Sequence, residues 1–184
     1  MRPLLLVVLL AAAISCAGGP LGACSEEADG SLDCSRRDLT GAYLFTADLT
    51  GANLTGANIS GANLRMADLT GANLTGANLS DANLRMATLA GANLRRANLS
   101  GANLIKANFE EANLRASNLD GAIFHDGSLR NANLEEASLY DTALYRVDLT
   151  GANLRAANVE EARANEGTVW PEGFDPVAAG VIFG

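Results

Sequence analysis

From Leu39 to Val159 every fifth residue is large and apolar, 25 in succession, of which 21 are Leu and the others Ile59, Phe109, Phe124 and Val159. No regular secondary-structure element has that period. On an α-helix, residues five apart are separated by about 140°, so these side chains would spiral round the axis without forming an apolar stripe. On a flat strand, an odd spacing sends alternate members to opposite faces. The pattern is satisfied by a backbone that turns once per repeat, so that each large side chain points at a common axis.

The flanking positions support this reading. Two residues before each centre stands Ala in 20 of the 25 repeats, and one residue before it stands Asn in 15 and Asp in four. Ala is small enough to fit beside the axial side chain, while Asn and Asp favour turns because their side chains bond nearby backbone. Together Ala, Leu and Asn supply 79 of the 184 residues.

Departures from the repeat recur every 20 residues. After the centres at 44, 64 and 84 stand Phe45-Thr46, Arg65-Met66 and Arg85-Met86. After those at 104, 124 and 144 stand Ile105-Lys106, His125-Asp126 and Tyr145-Arg146. None of the six pairs contains Gly, whereas Thr50-Gly51, Thr55-Gly56 and Ser60-Gly61 are typical elsewhere. Four pentapeptides therefore make one circuit. With backbones about 4.8 Å apart, about six circuits form a solenoid about 30 Å long.

Runs such as Ala52-Asn53-Leu54-Thr55-Gly56 resemble the pentapeptide-repeat family. The resemblance implies an all-β fold, a right-handed quadrilateral parallel β-helix of about six coils of four pentapeptides. Arg37, Ser117, Gly127, Thr142 and Val147 depart from the family at the small position, and near the last three the coil is expected to widen or loosen.

The repeats span residues 37–161. An open solenoid end exposes apolar core and an unpaired edge, so residues 24–36 and 162–184 read as N- and C-terminal caps. Cys34 falls in phase as an extra centre at the first end. At the other, Val169 and Phe174 keep phase, while Trp170-Pro171 and Asp175-Pro176 interrupt regular pairing. An aromatic binding site in this tail is the lesser reading.

Residues 1–23 differ in kind. A short basic start, an 11-residue apolar run from Leu4 to Ile14 and the small residues after it read as a secretory or lipoprotein signal. A spanning helix needs about 20 apolar residues. Ala13-Ile14-Ser15-Cys16 and Leu21-Gly22-Ala23-Cys24 both resemble lipoprotein cleavage boxes, so Cys16 and Cys24 are alternative lipidation sites. In an oxidising compartment Cys24 and Cys34 would form a disulfide; the competing arrangement is a lipidated Cys24 with a free Cys34.

The chain carries 21 acidic and 13 basic residues, a formal net charge of -8, which gives phosphate binding no overall help. Nucleic acid is therefore not the expected partner. The single His, His125, cannot build a metal site alone, and the sequence holds no nucleophile elbow or phosphate-cradling Gly loop. No catalytic, metal or cofactor site is expected, and the chain does not read as an enzyme. Lys106, Asp126 and Arg146 should instead form a structural charge ladder.

The ten residues Phe45, Arg65, Met66, Arg85, Met86, Ile105, Lys106, His125, Tyr145 and Arg146 would line one side of the solenoid. Arg, Met and aromatics are enriched in interfaces, which marks this column as the candidate interaction face for a protein or an anionic envelope surface. The reading is a non-enzymatic extracytoplasmic scaffold or protein-binding module, secreted or in the cell envelope and touching membrane only through a lipid anchor. Oligomeric state is left open. The alternative, implied by the family, is a DNA mimic that inhibits or protects a type II topoisomerase; it fits poorly because the repeats carry 14 acidic but also 10 basic residues. Ice or carbohydrate binding on Thr ladders is a third class, but Thr50 with Thr70 and Thr55 with Thr75 span two rungs each.

Overall fold

The structure, a computed structural model, describes residues 24–28 and 30–184. The signal region and Cys16 lie outside the described residues.

The repeat builds a four-bond unit. Within a pentapeptide the backbone closes a β-turn from every centre but Phe124 to the residue three on, as in the Ala52 N–H donating to the Leu49 carbonyl at 3.0 Å. Three further bonds tie each unit to neighbouring rungs: Leu54 N–H to Asn73 O at 2.7 Å, Asn73 N–H to Ala52 O at 2.9 Å, and Gly56 N–H to Thr75 O at 2.9 Å. From Asp33↔Asn53 to Ala143↔Arg163, each isolated bridge is parallel and joins residues 20 apart. The strands are thus reduced to one bridging residue per side, with a corner after each.

The corners explain the Gly preference two residues after the centre. From Arg36 to Glu161 that position has positive φ throughout, occupied by ten glycines and sixteen other residues. A turn with a left-handed third residue is type II, which Gly enters without Cβ strain.

All the large residues from Leu39 to Val159 are buried on the axis, and Ala stacks beside them. The departures at the small position behave differently from one another. Ser117 and Thr142 are buried with their hydroxyls donating to Leu114 O at 2.7 Å and Leu119 O at 2.8 Å. Thr142 keeps its turn bond at 3.1 Å, so the coil is not loosened there. At Val147 the bond to Leu144 is stretched to 3.4 Å, and the turn from Phe124 to Gly127 lacks the bend's hydrogen bond altogether. Arg37 is exposed at the first coil.

Two short antiparallel strands cover the first end. β1 (Ser25–Glu26) pairs with β2 (Leu32–Asp33), and Cys24 is bonded to Cys34 with their Cα atoms 4.6 Å apart. Cys34 is fully buried in phase, its N–H bonding Asn53 O at 2.8 Å.

At the other end β3 (Arg163–Ala164) pairs in parallel with β4 (Ile182–Phe183). Here one expectation fails. Asp148 pairs with Val169, 21 residues on, and Val169 is 49% exposed instead of axial. The cause is a turn displaced by one residue: Thr168 N–H bonds Asn165 O at 2.9 Å, and Thr168 takes the buried small position with its hydroxyl donating to Leu144 O at 2.7 Å. Beyond it Trp170 stacks on Phe174 with ring centroids 5.2 Å apart, and both are half-buried against the core. No helix among the described residues is long and apolar enough to cross a membrane.

Candidate functional site

The 20-residue register brings the six distinctive pairs into one column. Thr46 N–H bonds Arg65 O at 3.0 Å, Met66 N–H bonds Arg85 O at 3.1 Å, and Met86 N–H bonds Ile105 O at 2.9 Å. Lys106 N–H then bonds His125 O at 2.8 Å and Asp126 N–H bonds Tyr145 O at 3.1 Å. The final rung differs: Arg146 N–H bonds the Asn165 side-chain oxygen at 3.2 Å, another effect of the displaced turn.

The three middle rungs, at Arg65, Arg85 and Ile105, are also anchored from beneath, whereas Tyr43, Ile123 and Ala143 stand at the equivalent position of the other three. Asn63, Asn83 and Asn103 accept the N–H of Arg65, Arg85 and Ile105 at 3.2–3.3 Å. These Asx bonds fix the backbone under the middle of the column, so the side chains of Arg65, Arg85 and Ile105 sit on a rigid support. At the corner of every rung in this column, Thr46, Met66, Met86, Lys106, Asp126 and Arg146 hold positive φ of 55° to 62°. An L-residue in this region costs about 1–2 kcal/mol, so the column keeps side chains where Gly would be less strained.

The lower half is apolar and cationic. Phe45, Met66 and Met86 are exposed, and the Arg65 guanidinium lies over the Phe45 ring, 5.9 Å from its centroid. That cation–π contact orients Arg65. Tyr43, which breaks the Asn position, brings a second ring 6.1 Å from Phe45. Sequence reasoning did not include Tyr43 in the face, although it is 58% exposed. Its place one residue before a centre was the signal. Ile105 is half-buried at the join between halves.

The upper half is tied internally. His125 meets Tyr145 edge-on at 5.0 Å, and Arg146 grips Asp126 through Nε at 2.6 Å and Nη2 at 2.9 Å. The hydrogen bond from Arg146, with the positive charges of Arg146 and Lys106 adding to it, lowers the Asp126 pKa below the ordinary carboxylate value. The expected three-member ladder is therefore a tight Arg146–Asp126 pair with Lys106 acting through its charge alone. Among the described residues no group of three or more His, Cys, Asp or Glu is placed to hold a metal ion. The arrangement offers a stiff, partly apolar, cationic strip suited to contact with another surface.

A four-cornered stack of five-residue units with an Asn-anchored exterior defines a class of protein, the quadrilateral solenoid. A model of pentapeptide repeats matches in 8 copies, over residues 38–76, 77–115, 97–135 and 128–163, and the chain belongs to the pentapeptide-repeat family, whose fold is a right-handed quadrilateral β-helix. It is similar to HetL of the cyanobacterium Nostoc sp. strain PCC 7120, a pentapeptide-repeat protein involved in heterocyst differentiation regulation. The two are 36% identical over 76% of this chain and 70% of HetL, with a TM-score of 0.48. Rfr23 of the cyanobacterium Cyanothece 51142 is 38% identical over 53% of this chain and 63% of its own, with a TM-score of 0.29. QnrB1, a plasmid-mediated fluoroquinolone resistance protein, is 15% identical over 80% of this chain and 87% of its own, with a TM-score of 0.49. No curated protein matches the chain.

Proposed function

We propose that the protein is a non-enzymatic scaffold or protein-binding module of about six coils, acting outside the cytoplasm through the column that runs from Phe45 to Arg146. The observation that carries this reading is the retention of side chains at all six left-handed corners of the column, where Gly would relieve strain. Strain held in place at exposed positions fits a surface kept for contact. The signal-like residues 1–23 support an extracytoplasmic site, and Cys16 is the lipid attachment point consistent with the Cys24–Cys34 bond.

The partner chemistry that fits is a protein or envelope surface with apolar patches and negative charge, received by Phe45, Met66 and Met86 beside Arg65 and Arg85. The test replaces Arg65, Met66, Arg85 and Met86 with Ala and compares capture of envelope proteins and anionic surfaces with that of the unaltered chain. Loss of specific capture supports the reading; unchanged capture of every partner overturns it. The topoisomerase-directed alternative would need a continuous acidic surface, and Arg65, Arg85, Lys106 and Arg146 interrupt it. Clear inhibition of gyrase supercoiling by the purified chain would reverse that judgement. Mass spectrometry of the mature N-terminus checks both the compartment and the state of Cys16.

A further inference from the structure

A second basic surface lies on the opposite side of the solenoid. Arg95-Arg96 follows Arg65-Met66 by 30 residues, one and a half circuits of the 20-residue register. There Arg95, Arg96, Arg115, Ala116 and Glu136 line a recess of about 90 Å³. Its shape follows from the register. Arg96 N–H bonds Arg115 O at 3.0 Å and Ala116 N–H bonds Glu135 O at 2.9 Å, which stacks the pairs Arg95-Arg96, Arg115-Ala116 and Glu135-Glu136 on successive rungs. Ala116, short where its neighbours along the column are Arg96 and Glu136, leaves the space between them open.

The charges in the recess do not balance. Arg115 is held by Glu136 at 2.9 Å and Glu135 at 3.8 Å, and Glu135 is shared with Arg155 at 3.3 Å. Arg95 and Arg96 have no ion pair among the described residues. Arg95 is stacked directly below Arg115, and like charges facing each other across adjacent strands are unfavourable. Arg96 moreover sits at φ 56°, a corner that the two rungs below fill with Gly56 and Gly76. Three guanidiniums against one lining carboxylate leave two positive charges at one small, polar opening.

We propose that this recess binds a dianionic oxyanion, the phosphate group of a free phosphate or of a phosphorylated lipid headgroup. Arg is the side chain suited to such oxygens because its planar fork donates in pairs. Arg95 and Arg96 would take the oxygens directly, and Arg115, steered by Glu136, would close the far side. This site is independent of the column from Phe45 to Arg146.

The probes are inorganic phosphate, followed by titration calorimetry with the full chain at low salt, and phosphatidylcholine vesicles with and without phosphatidic acid, followed by flotation. The informative variant is Arg95→Thr with Arg96→Gly, which installs the Thr-Gly pair that the chain already uses at 55–56 and 75–76. It should fold at least as stably, since Gly relieves the left-handed corner, while binding weakens by at least about tenfold, or about 1.4 kcal/mol. Saturable phosphate binding lost in this variant supports the proposal with a free ligand. Recruitment by phosphatidic acid alone, lost in the same variant, supports it with the headgroup as source. No binding of either probe, or binding that survives the substitution in a folded variant, overturns it. The Ala replacements at Arg65, Met66, Arg85 and Met86 should leave phosphate binding unchanged, which separates this outcome from failure of the protein-binding reading.

Discussion

The ring of Phe124 fills the volume that a Cβ on Gly127 would occupy; such an atom would overlap the ring and come within 2.8 Å of the Ala107 carbonyl oxygen. The Phe124 centroid is also 5.3 Å from that of Phe109, so the two aromatics sit together in the core. Gly at the small position is thus the complement of Phe at the large one. Gly127→Ala should destabilise the fold by about 1–3 kcal/mol, the usual effect of overpacking. Pairing it with Phe124→Leu, which restores the common Ala and Leu arrangement, should recover most of that loss. Urea denaturation of the two single variants and the double variant measures the coupling, and strict additivity would refute the account.

The left-handed corners give a prediction of opposite sign. Met66→Gly and Met86→Gly each remove Cβ strain but add chain entropy to the unfolded state, for a net gain of about 0.5–1 kcal/mol per site. Thermal unfolding should show a higher midpoint for both, together with loss of capture through the column. A lower midpoint would mean that the methionine side chains contribute to folding more than the strain costs.

Acid should weaken the solenoid through the Asp residues that replace Asn. Hydrogen bonds from Thr40 to Asp38 and from Thr70 to Asp68 lower both pKa values from the ordinary carboxylate value. Since the folded values lie below the unfolded one of about 3.9, the stabilisation is present above that pH and is lost as pH falls through the lowered folded values. Asp68→Asn substitutes the commonest residue at this position and removes one titrating group. Its stability should fall less steeply with acid below about pH 4, which chemical denaturation at several pH values would reveal.

The N-terminal disulfide closes a short loop, with a sequence separation of 10. Loop-closure entropy for that length gives about 2–3 kcal/mol of stabilisation. Reduction should release β1 from β2 and lower the denaturation midpoint, with hydrogen exchange rising first at Cys34 and Asn53 and later toward the middle rungs. Uniform exchange along the whole repeat would contradict this order.

The axial core could be read directly from the period, because Leu and Ala at fixed offsets mean one thing physically whatever the rung. The 20-residue circuit was legible for the same reason, through departures such as Arg65-Met66 and Tyr145-Arg146. The corner conformation was only partly visible: Gly51 and Gly56 hint at positive φ, while Met86 and Arg96 hide it, since nothing in those side chains announces a left-handed backbone. Glu136 pairing with Arg115 is likewise a matter of side-chain reach across rungs. The displaced turn at Asn165 escaped detection because Val169 is apolar and in phase; a shift of one residue leaves the letters unchanged and alters only which of them faces inward.

That shift also bears on how the molecule ends. A stack of parallel rungs is in principle open to indefinite extension, since each exposed edge can template another chain. Here the last rungs are offset, with Asp148 meeting Val169 at 21 residues and Ala164 meeting Phe183 at 19, while the opposite end is closed by the antiparallel hairpin of β1 and β2. A second molecule laid end to end would find neither the spacing nor the strand direction that its own rungs require. The misregister at one end and the hairpin at the other thus leave neither end with the template that the interior rungs offer one another.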